Sequence, residues 1–462
     1  MPELPEVETV VRTLEKQIGN KTIKEVKVFW DNIIANVDPK IFASSLINQK
    51  IEKYDRRGKF LVFTLTDYIL VSHLRMEGKF FIHPLNTLKD KHTHLIFKME
   101  DIEVHYNDVR KFGKFYLYSK NENLICLEKL GYEPFDEKLN GKILKKLTKK
   151  DKMVIKTKLL DQSLIAGIGN IYANEICFKC NLDPLRKSCY ISEVKWDEII
   201  KATKEVLSKA IEQGGTTIRS YTSSLGVTGL FQQSLMVHSR EKENCYVCDS
   251  EILKIKVNGR GTYYCPNCQK PKPIVVAITG SIGSGKSVVS KYLFEKGFKT
   301  INSDEINATL LKQKQTILDL AYILGCNPEA VDKRYLSKVI FSDKKIKYEV
   351  EKYLHLKIYQ EIEKWIKENN NEKLLFVEVP LLFEVNWDRY FDHNISVDAS
   401  GEVIYKRLSE NRNMSKEEVD ERLKNQFPAK EKVKLADYVL ENNSTLDKLF
   451  ANIDSLIKKL DY

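Results

Sequence analysis

Apolar positions recur along the chain with different periods, and each period predicts a different kind of element. From Glu3 to Ile18, Val7, Val10, Val11, Leu14 and Ile18 fall on one face of a helix whose first turn carries acids that suit its dipole. From Lys21 to about Ser119 short runs take over: TIKEVKVF, KFLVFTL, YILVSHL, KFFIHPL, THLIFKM, IEVHYND and KFYLYSK succeed one another with turn residues between them. That pattern predicts an antiparallel sandwich or barrel. Between about Lys138 and Glu212 helical spacing returns, most plainly in EVKWDEIIKATKEVLSKAIEQ. From Ile274 onward the runs IVVAIT, LLFVEV and HNISVDA alternate with helical stretches, which predicts an α/β unit on a parallel sheet.

A chain of 462 residues has room for two to four domains of roughly 100 to 200 residues each. We place them at 1–135 for the β unit with its leading helix, 136–238 for the helical unit, 239–270 for a cysteine-rich segment, and 274–462 for the α/β unit. Between Cys268 and Ile274 lies only QKPKP, too short and too rich in proline for a flexible tether. No apolar run approaches the ~20 residues of a membrane helix, and MPELPEVE is acidic where a secretory signal is basic and then apolar. Neither a span nor a signal is expected, and an odd count of nine cysteines then points to a reducing, cytoplasmic compartment.

Charge separates the two ends of the chain. Residues 1–273 hold 45 Lys and Arg against 34 Asp and Glu, whereas residues 274–462 hold 30 of each, so the whole net charge of +11 lies in the first part. A basic excess there suggests a polyanionic partner such as nucleic acid.

Two motifs carry chemistry on spacing alone. Cys245-x2-Cys248-x16-Cys265-x2-Cys268 offers two close thiolate pairs, each able to bite one tetrahedral Zn²⁺ from a tight turn. Arg260 sits at the tip of the hairpin VNGRGTYYC within it, placed either for solvent or to reach a phosphate or base. Cys177-x2-Cys180 has no second pair to match it and reads as helical packing. Further on, Gly280-x4-Gly285-Lys286-Ser287 comes after a strand and opens a helix, the context of a phosphate-binding loop. In such a loop backbone N–H groups cradle phosphates, Lys286 reaches the β/γ oxygens and Ser287 holds Mg²⁺. The loop by itself specifies only a nucleoside triphosphate.

Several segments of residues 1 to about 270 together resemble the formamidopyrimidine-DNA glycosylase family: MPELPEVETV, RRGKF at 56–60, HLRMEGKF at 73–80, NDVRKFG at 107–113, AGIGNIYANE at 166–175 and GRGTYYCPNCQ. Leu4 favours this branch over the endonuclease VIII branch, which usually reads PEGPE. The resemblance implies a helix with a β-sandwich, a helix-two-turn-helix domain and a zinc finger. Its implied partner is double-stranded DNA carrying oxidised purines. It implies Pro2 as an amine nucleophile once Met1 is removed, Glu3 as a proton donor and shuttle, Lys59 in β-elimination and Arg260 in δ-elimination. An α-amine titrates near ~8 and a lysine near ~10.4, so the terminal amine is the readier nucleophile at neutral pH. Met76, Arg110 and Phe112 match void-filling residues, and His92, Lys152 and Asn170 match phosphate contacts. Met76 and Phe112 on their own would read as core. Where the family usually has DPRRFG this chain has DVRKFG, with Val109 and Lys111.

Residues 274–462 resemble dephospho-coenzyme A kinase through TGSIGSGKS, INSDEINA, VEVPLLFE, RLSENRNMSKEEVDERLKNQ and ADYVLENN. That likeness implies ATP, Mg²⁺ and dephospho-coenzyme A as ligands. Gly280, Gly283, Gly285, Lys286, Ser287, Arg407 and Arg422 would bind ATP, the last two from a helical lid. Asp304, otherwise a strand-end cap, would take the proton of the ribose 3′-hydroxyl. Glu378 stands where the family has Asp, and His355-Leu356 where it has His-Pro. The alternatives are a DNA-binding first half without catalysis and another small-molecule kinase behind it. A monomer is expected.

Overall fold

The computed structural model describes residues 1–216, 230–331, 336 and 343–460. It divides the chain into two units, Met1–Ile191 with Lys195–Pro271, and Ser192–Val194 with Lys272–Tyr462.

The first unit begins with the helix Leu4–Ile18, started by a capping box in which the Glu3 side chain accepts from the first turn and Glu6 accepts from the Glu3 backbone. Val7, Val10, Val11, Leu14 and Ile18 are all buried in a core shared with Leu61, Phe63, Phe80, Phe97 and Phe115. Burial of each such side chain contributes roughly 1.5–3 kcal/mol. Two antiparallel four-stranded sheets supply that core. One has the order β1-β6-β7-β5, from Glu25–Val28, Thr93–Lys98, Ile102–Asn107 and Lys79–Pro84. The other has β2-β3-β4-β8, from Ile51–Arg57, Phe60–Leu65, Tyr68–His73 and Lys114–Ser119. The sandwich expected from the sequence is therefore present, with one strand, β2, that the apolar pattern does not predict. Its sequence IEKYDRR buries only Ile51 and Tyr54, because it lies at a sheet edge with β3 as its one neighbour.

The β2–β3 hairpin pairs Arg57 with Phe60 around Gly58 and Lys59. Gly58 takes a positive φ of 56°, as the first position of such a two-residue loop favours. Glu133 clamps the turn, accepting from Arg56 (2.8 Å), Arg57 (2.8 Å) and the Gly58 N–H (2.6 Å), while Glu8 takes the Arg56 Nε at 3.0 Å. Lys59 is thus fixed at the end of a braced turn.

Helices Gly141–Thr148, Ile155–Leu159, Asn170–Lys179 and Glu193–Glu212 form the helical part. Its core holds Tyr172, Ile176, Trp196 and Leu207, and also Leu4 from the chain start. A hairpin of β9 (Leu253–Val257) and β10 (Arg260–Tyr264) comes next, packed through Ile252, Cys245 and Cys265 against Phe178.

The second unit is a fully parallel five-stranded sheet in the order β12-β13-β11-β14-β15. The strands are Lys299–Asn302, Leu374–Glu378, Ile274–Gly280, His393–Asp398 and Tyr438–Glu441. The phosphate-loop strand β11 is central, with neighbours on both sides, so the loop opens at the carboxyl edge where doubly wound sheets bind ligands. The helix Lys344–Glu368 runs unbroken through His355 and Leu356. A proline at 356 would have removed one of its backbone bonds.

Candidate functional site

The chain start is buried in a turn made for it. The Leu4 N–H donates to the Gly167 carbonyl at 3.0 Å, and the Glu3 carboxylate accepts from the N–H groups of Ile171 (2.9 Å) and Tyr172 (3.4 Å) at the start of the helix Asn170–Lys179. A Cβ on Gly169 would collide with the Glu3 carboxyl carbon, so only glycine leaves room for that side chain. Burial raises the Glu3 pKa to about 7 against the opposing pull of Lys59. Burial lowers the pKa of Lys59, and the carboxylates of Glu3 and Glu6 oppose that shift. Pro2 is buried beside them and Met1 is exposed.

Two further side chains complete this centre, and neither was singled out in the sequence. Lys156 is fully buried, its ammonium donating to the Asn170 side-chain oxygen, with burial lowering its pKa to about 8. Asn170 also donates to the Gly261 carbonyl at 3.1 Å, which ties the Arg260 hairpin to the helix start. Arg260 itself is exposed at the turn, and its charge is felt by both Lys59 and Lys156. The second is Glu6, which accepts from Tyr172 OH (2.6 Å) and from the Thr216 N–H (2.8 Å) and hydroxyl (3.0 Å). A bonded Lys–Asn pair fourteen residues apart leaves no periodic trace, which is why Lys156 is hard to see in the sequence.

Met76 sits half-buried in the turn after β4, His92 in the loop before β6, and Lys152, exposed, before the helix Ile155–Leu159. Arg110 lies over the ring of Phe112 at 4.9 Å, and Phe112 is 49% exposed. The loop bearing them is organised by buried Asp108, whose carboxylate accepts from the N–H groups of Arg110 (3.0 Å) and Gly113 (2.7 Å). Those bonds brace the loop without the family's proline.

The four cysteine sulfurs of 245, 248, 265 and 268 lie within 4.8 Å of one another, with Cys248 to Cys265 at 3.3 Å and Cys245 to Cys268 at 3.9 Å. A tetrahedron with ~2.3 Å zinc–sulfur arms has edges of about 3.8 Å, so the set fits zinc. Among the described residues it is the one group of three or more candidate ligands placed this way, and Cys177 and Cys180 lie in the helical core instead.

In the second unit Lys286 donates to the carbonyls of Gly280 and Ser281 at 3.0 Å each, and burial lowers its pKa to about 8 against the charge of Glu378. Glu378, buried at the end of β13, accepts from Ser287 at 3.0 Å and from Ser290 at 2.7 Å. Ser290, one turn beyond the loop, holds the second oxygen of the longer acid and went unnoticed in the sequence. Gly283 and Gly285 take positive φ within the loop. Arg407 is bonded to the Ser284 carbonyl (3.4 Å) and to Asn442 (3.0 Å), and Asn442 donates to the same Ser284 carbonyl at 2.8 Å. Arg422 is exposed on the helix Lys416–Lys424. The strand-end cap at this edge is Asn302, which accepts from the Asp304 N–H at 2.8 Å. Asp304 is left exposed, and its charge acts on Lys286.

Comparison with known proteins makes both units specific. Residues 1–115 match the formamidopyrimidine-DNA glycosylase N-terminal domain, 130–222 its H2TH domain, and 242–271 the zinc finger found in FPG and IleRS. Residues 274–448 match dephospho-CoA kinase. The formamidopyrimidine-DNA glycosylase of Shouchella clausii is 46% identical over 277 residues, 59% of this chain and 100% of that one. That of Exiguobacterium sibiricum is 47% identical over 274 residues, 58% of this chain and 99% of the other. The Lactococcus lactis Fpg, solved in complex with DNA containing an abasic site, superposes with a TM-score of 0.55 at 39% identity, covering 58% of this chain and 100% of that one. The same enzyme solved with N7-benzyl-Fapy-dG DNA gives the same score, identity and coverage. The chain belongs to the formamidopyrimidine-DNA glycosylase family, and it carries a dephospho-CoA kinase domain behind that unit.

Gly169→Ala should displace the Glu3 carboxylate and cut base excision by about 100-fold, the scale of a ~1 Å misplacement, while ATP-dependent phosphorylation by the same preparation stays at the parent rate. Metal analysis of the purified chain should return about one zinc, and Cys265→Ser should bring it to background.

Proposed function

We propose that the first unit excises oxidised purines, 8-oxoguanine and formamidopyrimidines, from double-stranded DNA and then cleaves the abasic strand, and that the second phosphorylates the 3′-hydroxyl of dephospho-coenzyme A with ATP. The observation that carries the first activity is the seat of the chain start, which brings Pro2, a Glu3 near neutrality and buried Lys59 into one centre. With Met1 removed, the Pro2 nitrogen attacks C1′ and the bond from C1′ to the base breaks, the base leaving with a proton. Glu3, part protonated at neutral pH, gives its proton to the ring oxygen. The opened sugar is joined to Pro2 as a cationic iminium. Loss of a C2′ proton expels the 3′ phosphate, with Lys59 serving that step, and a second elimination, with Arg260 near, expels the 5′ phosphate; water then frees the amine. Met76, Arg110 and Phe112 fill the space the base leaves, which offsets an unstacking cost of a few kcal/mol. His92, Asn170 and Lys152 take phosphates, with Lys156 beneath Asn170 as a further cation.

For the kinase, the supporting observation is that Asn302 takes the capping bond and frees Asp304 beside the phosphate loop. Asp304 accepts the 3′-hydroxyl proton as that oxygen bonds to the γ-phosphorus and the bond to the β,γ-bridging oxygen breaks. Lys286 and the N–H groups around Gly280, Gly283 and Gly285 hold the phosphates, with Arg407 and Arg422 closing over them. Ser287 and Glu378 are oxygen donors that suit Mg²⁺, which neutralises phosphate charge when bound. Ser290 orients Glu378 for that task. We divide the chain functionally at 1–135, 136–238, 239–270 and 274–462, and we place it in the cytoplasm, where cysteines outside the zinc set stay reduced.

Borohydride added during turnover on 8-oxoguanine DNA should trap a protein–DNA adduct in the parent and none in a variant whose amine is masked by an N-terminal extension; equal trapping would refute the nucleophile. Asp304→Asn should lower phosphorylation of dephospho-coenzyme A by at least ~100-fold and leave trapping unchanged. Single-turnover excision should trace a bell in pH, rising as the terminal amine, near ~8, loses its proton and falling as Glu3, about 7, loses its own, and Glu3→Gln should be slow and lack the falling limb.

A further inference from the structure

Beside the loop of Arg110 and Phe112 runs a row of cations set against aromatic rings. The ammonium groups of Lys111 and Lys114 each lie 5.6 Å from the centre of the Trp30 ring, and that of Lys89 lies 5.0 Å from the centre of the Phe29 ring. Phe29 is 44% exposed and Trp30 half-buried. Among the described residues no carboxylate pairs with Lys89, Arg110, Lys111 or Lys114, although Lys21, Lys53, Lys120 and Lys158 in the same unit all have acidic partners. Asp90, the acid next to Lys89, accepts from the His92 N–H at 2.8 Å.

These groups are held before any ligand arrives. The Trp30 ring meets His94 edge-on at 5.7 Å, and His94 reaches the Asp108 carbonyl at 2.8 Å. Lys111 takes a left-handed φ of 57° with its N–H on the Asp108 carbonyl at 3.3 Å, which turns its side chain toward Trp30 and away from the run of the loop. Lys114 donates to the Asn32 carbonyl.

We infer that Phe29, Trp30, Lys89, Lys111 and Lys114 form a second DNA-binding platform that takes phosphates of the strand opposite the lesion. The inference rests on the proposed glycosylase reading, in which Arg110 and Phe112 enter the duplex and Arg110 meets the orphaned base. Lys111 is the residue directly after Arg110 and Lys114 opens β8, so the cation row starts at the tip which that reading sets against the orphaned base. The rings supply flat apolar faces for the sugars and keep the lysine chains extended, and the charges without acidic partners supply the attraction.

The test uses the full chain and a duplex containing a tetrahydrofuran abasic analogue, with binding measured across a potassium chloride series. In Lys111→Ala/Lys114→Ala the slope of log K against log salt should become shallower by about 2, since each phosphate contact contributes about 0.9. Neutral methylphosphonates placed in the opposite strand beside the lesion should weaken the parent several-fold and the variant little, while those in the lesion strand weaken both alike. An unchanged slope, or methylphosphonate effects that differ between parent and variant only in the lesion strand, overturns the platform. Borohydride trapping by the parent on a lesion duplex tests the underlying glycosylase reading separately; its failure there would remove that reading and leave the salt slopes to judge a plain DNA contact.

Discussion

The first unit depends on one buried carboxylate. Glu3 lies between two backbone N–H groups at a helix start and a buried lysine on a hairpin turn, and the three come from the chain terminus, the helical part and the sandwich respectively. Neither the sandwich nor the helical part holds a complete centre. Leu4 enters one core and Val7, one helical turn later, enters the other, so the same few residues that present Glu3 also join the two halves. Moving the carboxylate would mean unpacking both.

The supports of that centre are polar and long-range. Glu133 braces the Lys59 turn from more than seventy residues away, Asn170 links Lys156 to the Arg260 hairpin, and Asp108 shapes the Arg110 loop. In the second unit the same economy recurs on a smaller scale: Ser290 fixes Glu378, Asn302 frees Asp304 and Asn442 supports the loop carbonyl of Ser284. Each is an uncharged or capping group that fixes where a charge points without adding a charge of its own, apart from the carboxylates of Glu133 and Asp108.

Legibility in the sequence divides along the same line. Elements that bury a continuous face were legible: the helix Leu4–Ile18, seven of the eight sandwich strands, the helix Glu193–Glu212 and the three central strands β11, β13 and β14. The edge strands β2, β12 and β15 were not, because β2 is mostly charged and β12 and β15 span four residues each, with few side chains in the core. Glycine and cysteine spacings announced the turns and the metal cluster, since only certain residues satisfy those geometries. Supporting side chains such as Lys156 and Ser290 left no mark, for their partners lie well off in the chain and nothing in the local pattern points to them.

The seating of the chain start bears on how two enzymes come to share one polypeptide. Pro2 and Glu3 are buried at the centre of the first unit, and on the proposed reading the reagent is the terminal amine itself. On that reading, any protein joined ahead of it would convert the amine into an amide. At the far end of that unit, past the cysteine cluster, the chain continues through Lys270, Pro271 and Lys272, all exposed. On that reading, a fusion that keeps both activities puts the glycosylase first and the kinase second, an order set by the chemistry of one residue.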